Sequence, residues 1–257
     1  MLQVTGLRKS FGGVQAVDGV DFALARGEVL ALIGPNGAGK STTFNMLNGQ
    51  LRADGGSVRL DNDGQVTELV GLKPREVWRL GVGRTFQIAE TFASLTVVEN
   101  VQMALLSHAG RLNRLWPRAA QFERGRALAL LALVGMDAQA ERPCSELAYG
   151  DVKRVELAMA IAHQPVLLLM DEPTAGMAPA ERLQLMALTR RLAHEQRMAV
   201  LFTEHSMDVV FAYADRILVL ARGRLIAEGT PEEVRANAEV QRVYLGSGRL
   251  LDPQEAA

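Results

Sequence analysis

The chain has 257 residues, 48% hydrophobic and 22% charged, which suits one large domain or two lobes sharing an extensive core. Its 28 Lys and Arg against 29 Asp and Glu leave a net charge of -1, so no overall field draws it to nucleic acid or an anionic membrane, and no nucleic-acid partner is expected. The single Cys144 excludes an internal disulfide and a cysteine-built zinc site, fits a reducing compartment, and is expected to be a small buried or half-buried residue.

Residues 2–33 alternate short apolar runs with the turn signals Phe11-Gly12-Gly13 and Ala25-Arg26-Gly27-Glu28, which predicts strands and hairpins, with 29–33 as a buried strand. A glycine-rich loop follows, then 41–48 with the composition of a helix, the strand, loop, helix passage of an α/β nucleotide fold. Residues 94–157 turn mostly helical, at 97–106 and 122–134, around a basic stretch at 111–126 that reads as a solvated face. Wholly apolar runs at 166–170 and 199–203 resume the core as parallel strands buried on both faces. Residues 217–220 and 225–227 flank Arg222-Gly223-Arg224 as a closing hairpin, and 231–243 is predicted as one terminal helix before a polar tail. No segment reaches the about 20 apolar residues needed to span a bilayer, and residues 1–10 lack a signal-peptide run. A cytoplasmic protein is expected, meeting membranes only through a partner.

Gly34-Pro35-Asn36-Gly37-Ala38-Gly39-Lys40-Ser41 satisfies the phosphate-loop pattern G-x-x-x-x-G-K-[ST] at every fixed position, between a strand and a helix. The glycines let backbone N–H groups face a phosphate, the helix N-terminus adds a positive dipole end, Lys40 reaches the β- and γ-phosphates and Ser41 ligates magnesium. A tight turn that merely contains Lys and Ser is the bland alternative, and the flanking strand and helix argue against it. Asp171-Glu172 ends the apolar run 166–170, where a doubly wound sheet offers its carboxyl edge to ligands. Asp171 is placed to hold magnesium and Glu172 to polarise an attacking water. The pair alone would equally open a helix at Pro173.

Leu147-Ala148-Tyr149-Gly150-Asp151 resembles the signature loop of ABC ATPases, and the order of motifs around it is that family's. The resemblance implies an α/β phosphate-loop NTPase core with a mostly parallel sheet, an N-terminal antiparallel β part and an inserted helical lobe. The expected divisions are a core in two parts, 1–93 and 158–230, a helical signature lobe at 94–157, and a C-terminal helix and tail at 231–257. It also implies that ATP is held by Gly34 through Thr42 and Asp171, with Phe11 stacked on adenine. Ala148 and Gly150 reach the nucleotide from a second ATP-binding subunit, in a homo- or heterodimer arranged head to tail. Ser41, Gln87 and Asp171 hold Mg2+, while Glu172, Lys40 and the switch histidine His205 carry the chemistry. Taken singly, Phe11 reads as a strand-edge core residue, Gln87 as a solvated turn residue and His205 as a loop histidine. His108, His163 and His194 match no motif and are expected as surface or capping residues.

Three positions depart from the family. Ala148 stands where a serine is usual, which removes a phosphate contact, and Asp151 where a glutamine is frequent. Ala178 replaces the aspartate that many relatives carry after the acidic pair. Gly83-Arg84-Thr85-Phe86-Gln87, Leu95-Thr96-Val97-Val98-Glu99-Asn100, Ala175-Gly176-Met177 and Val243-Tyr244-Leu245-Gly246 are similar to the ATP-binding subunits of branched-chain amino acid importers. That implies a place at the cytoplasmic face of the inner or plasma membrane, integral permease subunits as partners and, indirectly, a periplasmic or extracellular solute-binding protein. Residues 88–95 would carry the permease contact, with Phe92 either its anchor or a residue packed in the helical lobe. A lipopolysaccharide-export ATPase and a soluble ABC ATPase without a membrane partner are the alternatives.

Overall fold

A computed structural model describes residues 1–85, 91–110 and 122–245. Strands β1 (Leu2–Phe11) and β2 (Val14–Leu24) form an antiparallel hairpin in which Leu2 faces Leu24 and Phe11 faces Val14. The chain then crosses to β3 (Val29–Ile33), the phosphate loop and α1 (Lys40–Leu47). Strands β4 (Gly55–Asn62) and β5 (Gln65–Glu68) return to the hairpin and complete a sheet of order β2-β1-β4-β5. Helix α2 (Pro74–Arg79) and strand β6 (Val82–Thr85) follow, in a stretch where the sequence pattern predicts no elements.

Helices α3 (Val97–His108), α4 (Arg124–Leu133) and α5 (Tyr149–Ile161) form the helical segment. Thr96 and Glu99 explain why α3 begins where it does: the Thr96 N–H donates to Glu99 Oε2 at 2.8 Å and the Glu99 N–H to Thr96 Oγ1 at 3.3 Å. Strand β7 (Leu167–Asp171), α6 (Pro179–Gln196), β8 (Ala199–Thr203), α7 (Met207–Tyr213), β9 (Arg216–Ala221) and β10 (Arg224–Gly229) complete the second sheet, of order β10-β9-β3-β8-β7-β6. It is parallel except where β10 pairs antiparallel with β9.

The apolar runs that read as two-sided strands divide residue by residue between two cores. Ala31, Leu168, Val200 and Phe202 face the layer built by α3 to α7, while Leu30, Leu32, Leu169 and Leu201 face α1 and the antiparallel sheet. Each face of the parallel sheet is thereby covered, which is why alternation is invisible in its sequence.

The expected single helix at 231–243 is two, α8 (Pro231–Ala236) and α9 (Ala238–Leu245). Asn237 separates them: its Oδ1 accepts the N–H groups of Glu239 at 2.9 Å and Val240 at 3.2 Å, so its side chain caps a new helix and the old one ends. Among the described residues no helix is long and apolar enough to cross a membrane.

Candidate functional site

The loop after β3 is forced by close backbone approaches. A Cβ on Gly34 would lie 2.3 Å from the Leu220 carbonyl oxygen, and one on Gly39 2.4 Å from that of Ala16, with Gly39 at φ 104°. Only glycine fits either position. Ala38 is buried, and its carbonyl accepts the Gly223 N–H at 3.0 Å, which ties the loop to the β9–β10 turn. Asn36 and Gly37 are exposed, Pro35 and Thr42 half-buried, and Ser41 exposed at the start of α1. Lys40 folds back over its own loop: Nζ donates to the carbonyls of Gly34 at 2.6 Å and Pro35 at 3.1 Å. Burial lowers the Lys40 pKa, and the nearby carboxylates of Glu172 and Asp171 oppose that shift.

Sheet order brings the chemistry together, because β8 lies between β3 and β7 and all three point their carboxyl ends the same way. Asp171 closes β7; its Oδ1 accepts the Thr203 hydroxyl at 2.8 Å, and its Oδ2 is 3.6 Å from Arg84 Nη2. Glu172 adopts a left-handed backbone, φ 48°, held where its N–H meets both the carbonyl and the hydroxyl oxygen of Thr203 at 3.1 Å. Its Oε1 lies 2.8 Å from His205 Nε2. The loop carrying His205 is anchored by buried Glu204, whose Oε1 accepts the Thr174 N–H at 2.8 Å and hydroxyl at 2.6 Å. Arg84, Thr174, Thr203 and Glu204 were missed by sequence reasoning; Thr203 and Glu204 carried a usable signal, since they end an apolar strand as Asp171 does.

The structure thus gathers the phosphate loop, Asp171, Glu172 and His205. Ala148 and Gly150 lie outside that cluster, at the start of α5 against the turn after the acidic pair: a Cβ on Gly150 would meet the Glu181 carboxylate at 3.1 Å, and the Tyr149 ring packs on Gly176. Asp151 accepts from Gln139 Nε2 at 3.3 Å, and the Ala178 N–H donates to Glu181 Oε2 at 3.3 Å. Phe11 stands at the hairpin end, 49% exposed, and is no core residue. Gln87 lies outside the described residues. No cluster of three or more His, Cys, Asp or Glu able to hold a metal occurs among the described residues.

The histidines correct one expectation. His108 and His194 are exposed, but His163 is buried, its ring 4.9 Å from that of Trp78 and 5.8 Å from that of His108. Burial, then the charge of His108, lower its pKa to about 4 against the pull of a hydrogen bond to the Val82 backbone. His163 stands in the turn just past the end of α5, where nothing in the local sequence shows that the ring packs inward. His163, Trp78, Phe92, Met159 and Arg84 line a groove of about 390 Å³ between α2 and the helical segment. Phe92 is 51% exposed there while its backbone N–H and carbonyl are both bonded by buried Asn100, at 2.8 and 3.1 Å. Cys144 is buried as expected, its Sγ 3.2 Å from Asn100 Nδ2.

A phosphate loop at the switch of a mixed sheet, facing a carboxylate pair across one strand, defines a phosphate-loop ATPase. Residues 17–175 match the family described as ABC transporter, and the chain belongs to that family as an ATP-hydrolysing cassette. Residues 224–249 match a further family, described as branched-chain amino acid ATP-binding cassette transporter. The chain is 40% identical over 253 residues to the high-affinity branched-chain amino acid transport ATP-binding protein LivG of Salmonella typhimurium, covering 96% of this chain and 98% of that one. It is 39% identical over 254 residues to BraF of Pseudomonas aeruginosa, which bears the same description, with the same coverages. Among solved structures, the ADP conformation of MJ1267, an ATP-binding cassette of an ABC transporter, superposes with a TM-score of 0.85 at 30% identity, covering 96% of this chain and 98% of that one.

Proposed function

We propose that the chain powers uptake of branched-chain amino acids or related polar solutes through separate membrane subunits. The carrying observation is the match of residues 224–249 to the branched-chain cassette family. The phosphate loop and acidic pair are common to many ATPases, whereas this terminal stretch, with Tyr244 buried in the main core, matches a family described by branched-chain amino acid transport.

In this reading Gly34 through Thr42 wrap the phosphates, Lys40 exchanges its bonds to loop carbonyls for phosphate oxygens, and Phe11 stacks on the base. Ser41, Asp171 and Gln87 would hold Mg2+; oxygen donors in small number suit an ion that keeps water and phosphate ligands, and when bound it neutralises charge on the phosphates. Glu172, aimed by its left-handed backbone and by His205, orients the attacking water. A second ATP-binding subunit supplies Ala148 and Gly150 to the nucleotide, the backbone and helix dipole serving where the serine hydroxyl is missing. The groove lined by Phe92, Trp78 and His163 takes a segment of the integral permease subunits, and buried Asn100 makes Phe92 a rigid anchor. The cassette then lies at the cytoplasmic face of the membrane, and a periplasmic or extracellular solute-binding protein acts only through the permease.

Affinity purification from detergent-solubilised membranes tests this. Integral membrane proteins are expected to co-purify, and vesicles reconstituted with them and a binding protein should take up leucine, isoleucine or valine when ATP is supplied on the cassette side. Recovery of ribosomes or DNA without membrane proteins would overturn the reading, and vesicles that move lipopolysaccharide instead would favour the export ATPase.

A further inference from the structure

His205 is held through its two chain neighbours, and both are gripped by the segment that follows Glu172. On one side, buried Glu204 accepts the N–H and the hydroxyl of Thr174 on Oε1, at 2.8 and 2.6 Å. On the other, Ser206 Oγ accepts from Arg182 Nη1 at 3.0 Å, while Arg182 Nε donates to the Met177 carbonyl at 2.8 Å. Arg182 closes the first turn of α6, its own N–H bonded to the Ala178 carbonyl at 3.0 Å. Helical side chains lean toward the N-terminus, so its guanidinium reaches back over the turn that precedes the helix. The planar group presents its donors in a fixed relation, which lets one side chain set the distance between two loops. Ser206 is the residue before α7, where a serine oxygen ordinarily accepts an N–H of the helix's first turn; here it makes no such bond and is turned to Arg182. Met177, with its side chain buried in the main core, gives the clamp a fixed end. The His205 side chain itself is 45% exposed, so packing alone does not fix its aim at Glu172.

We propose that Arg182 is a positioning residue for hydrolysis: by tying Ser206 to the Met177 carbonyl it fixes the loop that carries His205, and through that loop the aim of the imidazole at Glu172. The proposal rests on the reading of Glu172 and His205 as the pair that orients the attacking water. Thr174 and Arg182 grip the loop on either side of His205, so releasing one hold lets the loop pivot about the other. The imidazole swings with it, and its 2.8 Å contact with Glu172 Oε1 tolerates little displacement before the hydrogen bond is lost. The phosphate loop is tied down elsewhere, through the bond from the Gly223 N–H to the Ala38 carbonyl. Loss of the clamp therefore lowers turnover and spares nucleotide affinity.

Steady-state hydrolysis, ATP titration and the imidazole NMR signals of the purified chain test this together. The sequence has four histidines, so the His205 signal is assigned by its absence from His205→Ala. Arg182→Met keeps an aliphatic stem and should lower kcat on the order of tenfold, with ATP affinity within about twofold of wild type. Ser206→Ala, a milder change that breaks the same bond, should act in the same direction even where Arg182→Met folds poorly, and the double variant should be no slower than Arg182→Met. In the His205→Ala background Arg182→Met should have no further effect on kcat, a result that a role in general stability would not produce. Glu172→Ala removes the carboxylate and should shift the His205 signal; Arg182→Met should shift it in the same direction and leave the other histidines in place. A His205 signal that moves in Glu172→Ala but stays at its wild-type position in Arg182→Met overturns the clamp, as does a loss of kcat that adds in full to that of His205→Ala. Hydrolysis at the wild-type rate by both Glu172→Gln and His205→Ala overturns the underlying reading of that pair instead, whatever Arg182 does.

Discussion

His205 Nε2 and Glu172 Oε1 are 2.8 Å apart, joining the ends of two strands that neighbour each other in the sheet. The Glu172 carboxylate is aimed from below by a backbone held at φ 48° and from above by the imidazole. A glutamine keeps the shape and an oxygen for His205 but loses the charge that polarises water. Glu172→Gln should therefore retain ATP and Asp171, slow hydrolysis by about 10²-fold or more, and accumulate as an ATP-dependent dimer. Light scattering after size exclusion, with and without Mg-ATP, checks the last point against a wild type expected to be mostly monomeric. Hydrolysis at the wild-type rate would reduce Glu172 to a helix-start carboxylate; an inactive, ATP-binding monomer would mean that Ala148 and Ala178 have weakened the sandwich.

Gly37 and Gly39 share a left-handed backbone but not their surroundings. An added Cβ meets nothing within 4 Å at Gly37, whereas at Gly39 it falls 2.4 Å from the Ala16 carbonyl oxygen, part of the fold and unable to rotate away. Gly37→Ala should cost only the backbone term, about 1–2 kcal/mol. Gly39→Ala should cost clearly more and should lose nucleotide affinity as well, because β2 and the loop cannot both keep their places. Urea unfolding and ATP titration of the two variants separate the effects; equal losses would show that the loop moves freely from β2.

The parts of this site that were legible in the sequence are those made of contiguous residues. The phosphate loop has its spacing written in it, and Asp171-Glu172 follows directly on an apolar strand. What was not legible depends on residues far apart in the chain. Arg84 meets Asn45, Gln50 and Asp171, and nothing at position 84 announces those contacts. His163 was misjudged because a histidine's burial is decided by Trp78 and His108, which two helices distant in the chain, α2 and α3, bring against it. In the fold, Asn237 has an ordinary helical neighbourhood, and only its side-chain bonds to residues 239 and 240 reveal the break.

Phe11 tests the adenine-stacking role without risk to the fold. The ring is 49% exposed, with Lys9 Nζ 5.6 Å from its centroid and the still more exposed Val14 opposite. Phe11→Ala should leave stability within about 0.5 kcal/mol and weaken ATP binding by about 0.5–1.5 kcal/mol. A titration with GTP beside ATP adds a check, since a stacking platform reads the flat face of either base. Complete loss of ATP binding would mean that Phe11 shapes the hairpin instead.

His163 makes the stability of the chain depend on acid in a way that can be isolated. Burial, with the charge of His108, lowers its pKa from 6.5 to about 4, so the unfolded chain takes up the proton more readily than the folded one throughout that interval. The stabilisation is therefore fully present above pH 6.5 and drains away as the pH falls through the interval to about 4, where the folded ring is protonated as well. The whole shift corresponds to about 3 kcal/mol, of which about 2 kcal/mol is lost by pH 5. His163→Phe keeps a ring against Trp78 and removes the titration. It also removes the bond to the Val82 backbone and is expected to be less stable by about 1 kcal/mol at every pH. The informative quantity is thus the slope and not the level. Between pH 7.5 and pH 5, urea unfolding should show wild type losing about 2 kcal/mol more than the variant, the carboxylates common to both proteins cancelling in the difference. Parallel losses would mean that the imidazole is protonated in place at pH 5, which requires water to reach its buried Nε2 through the groove.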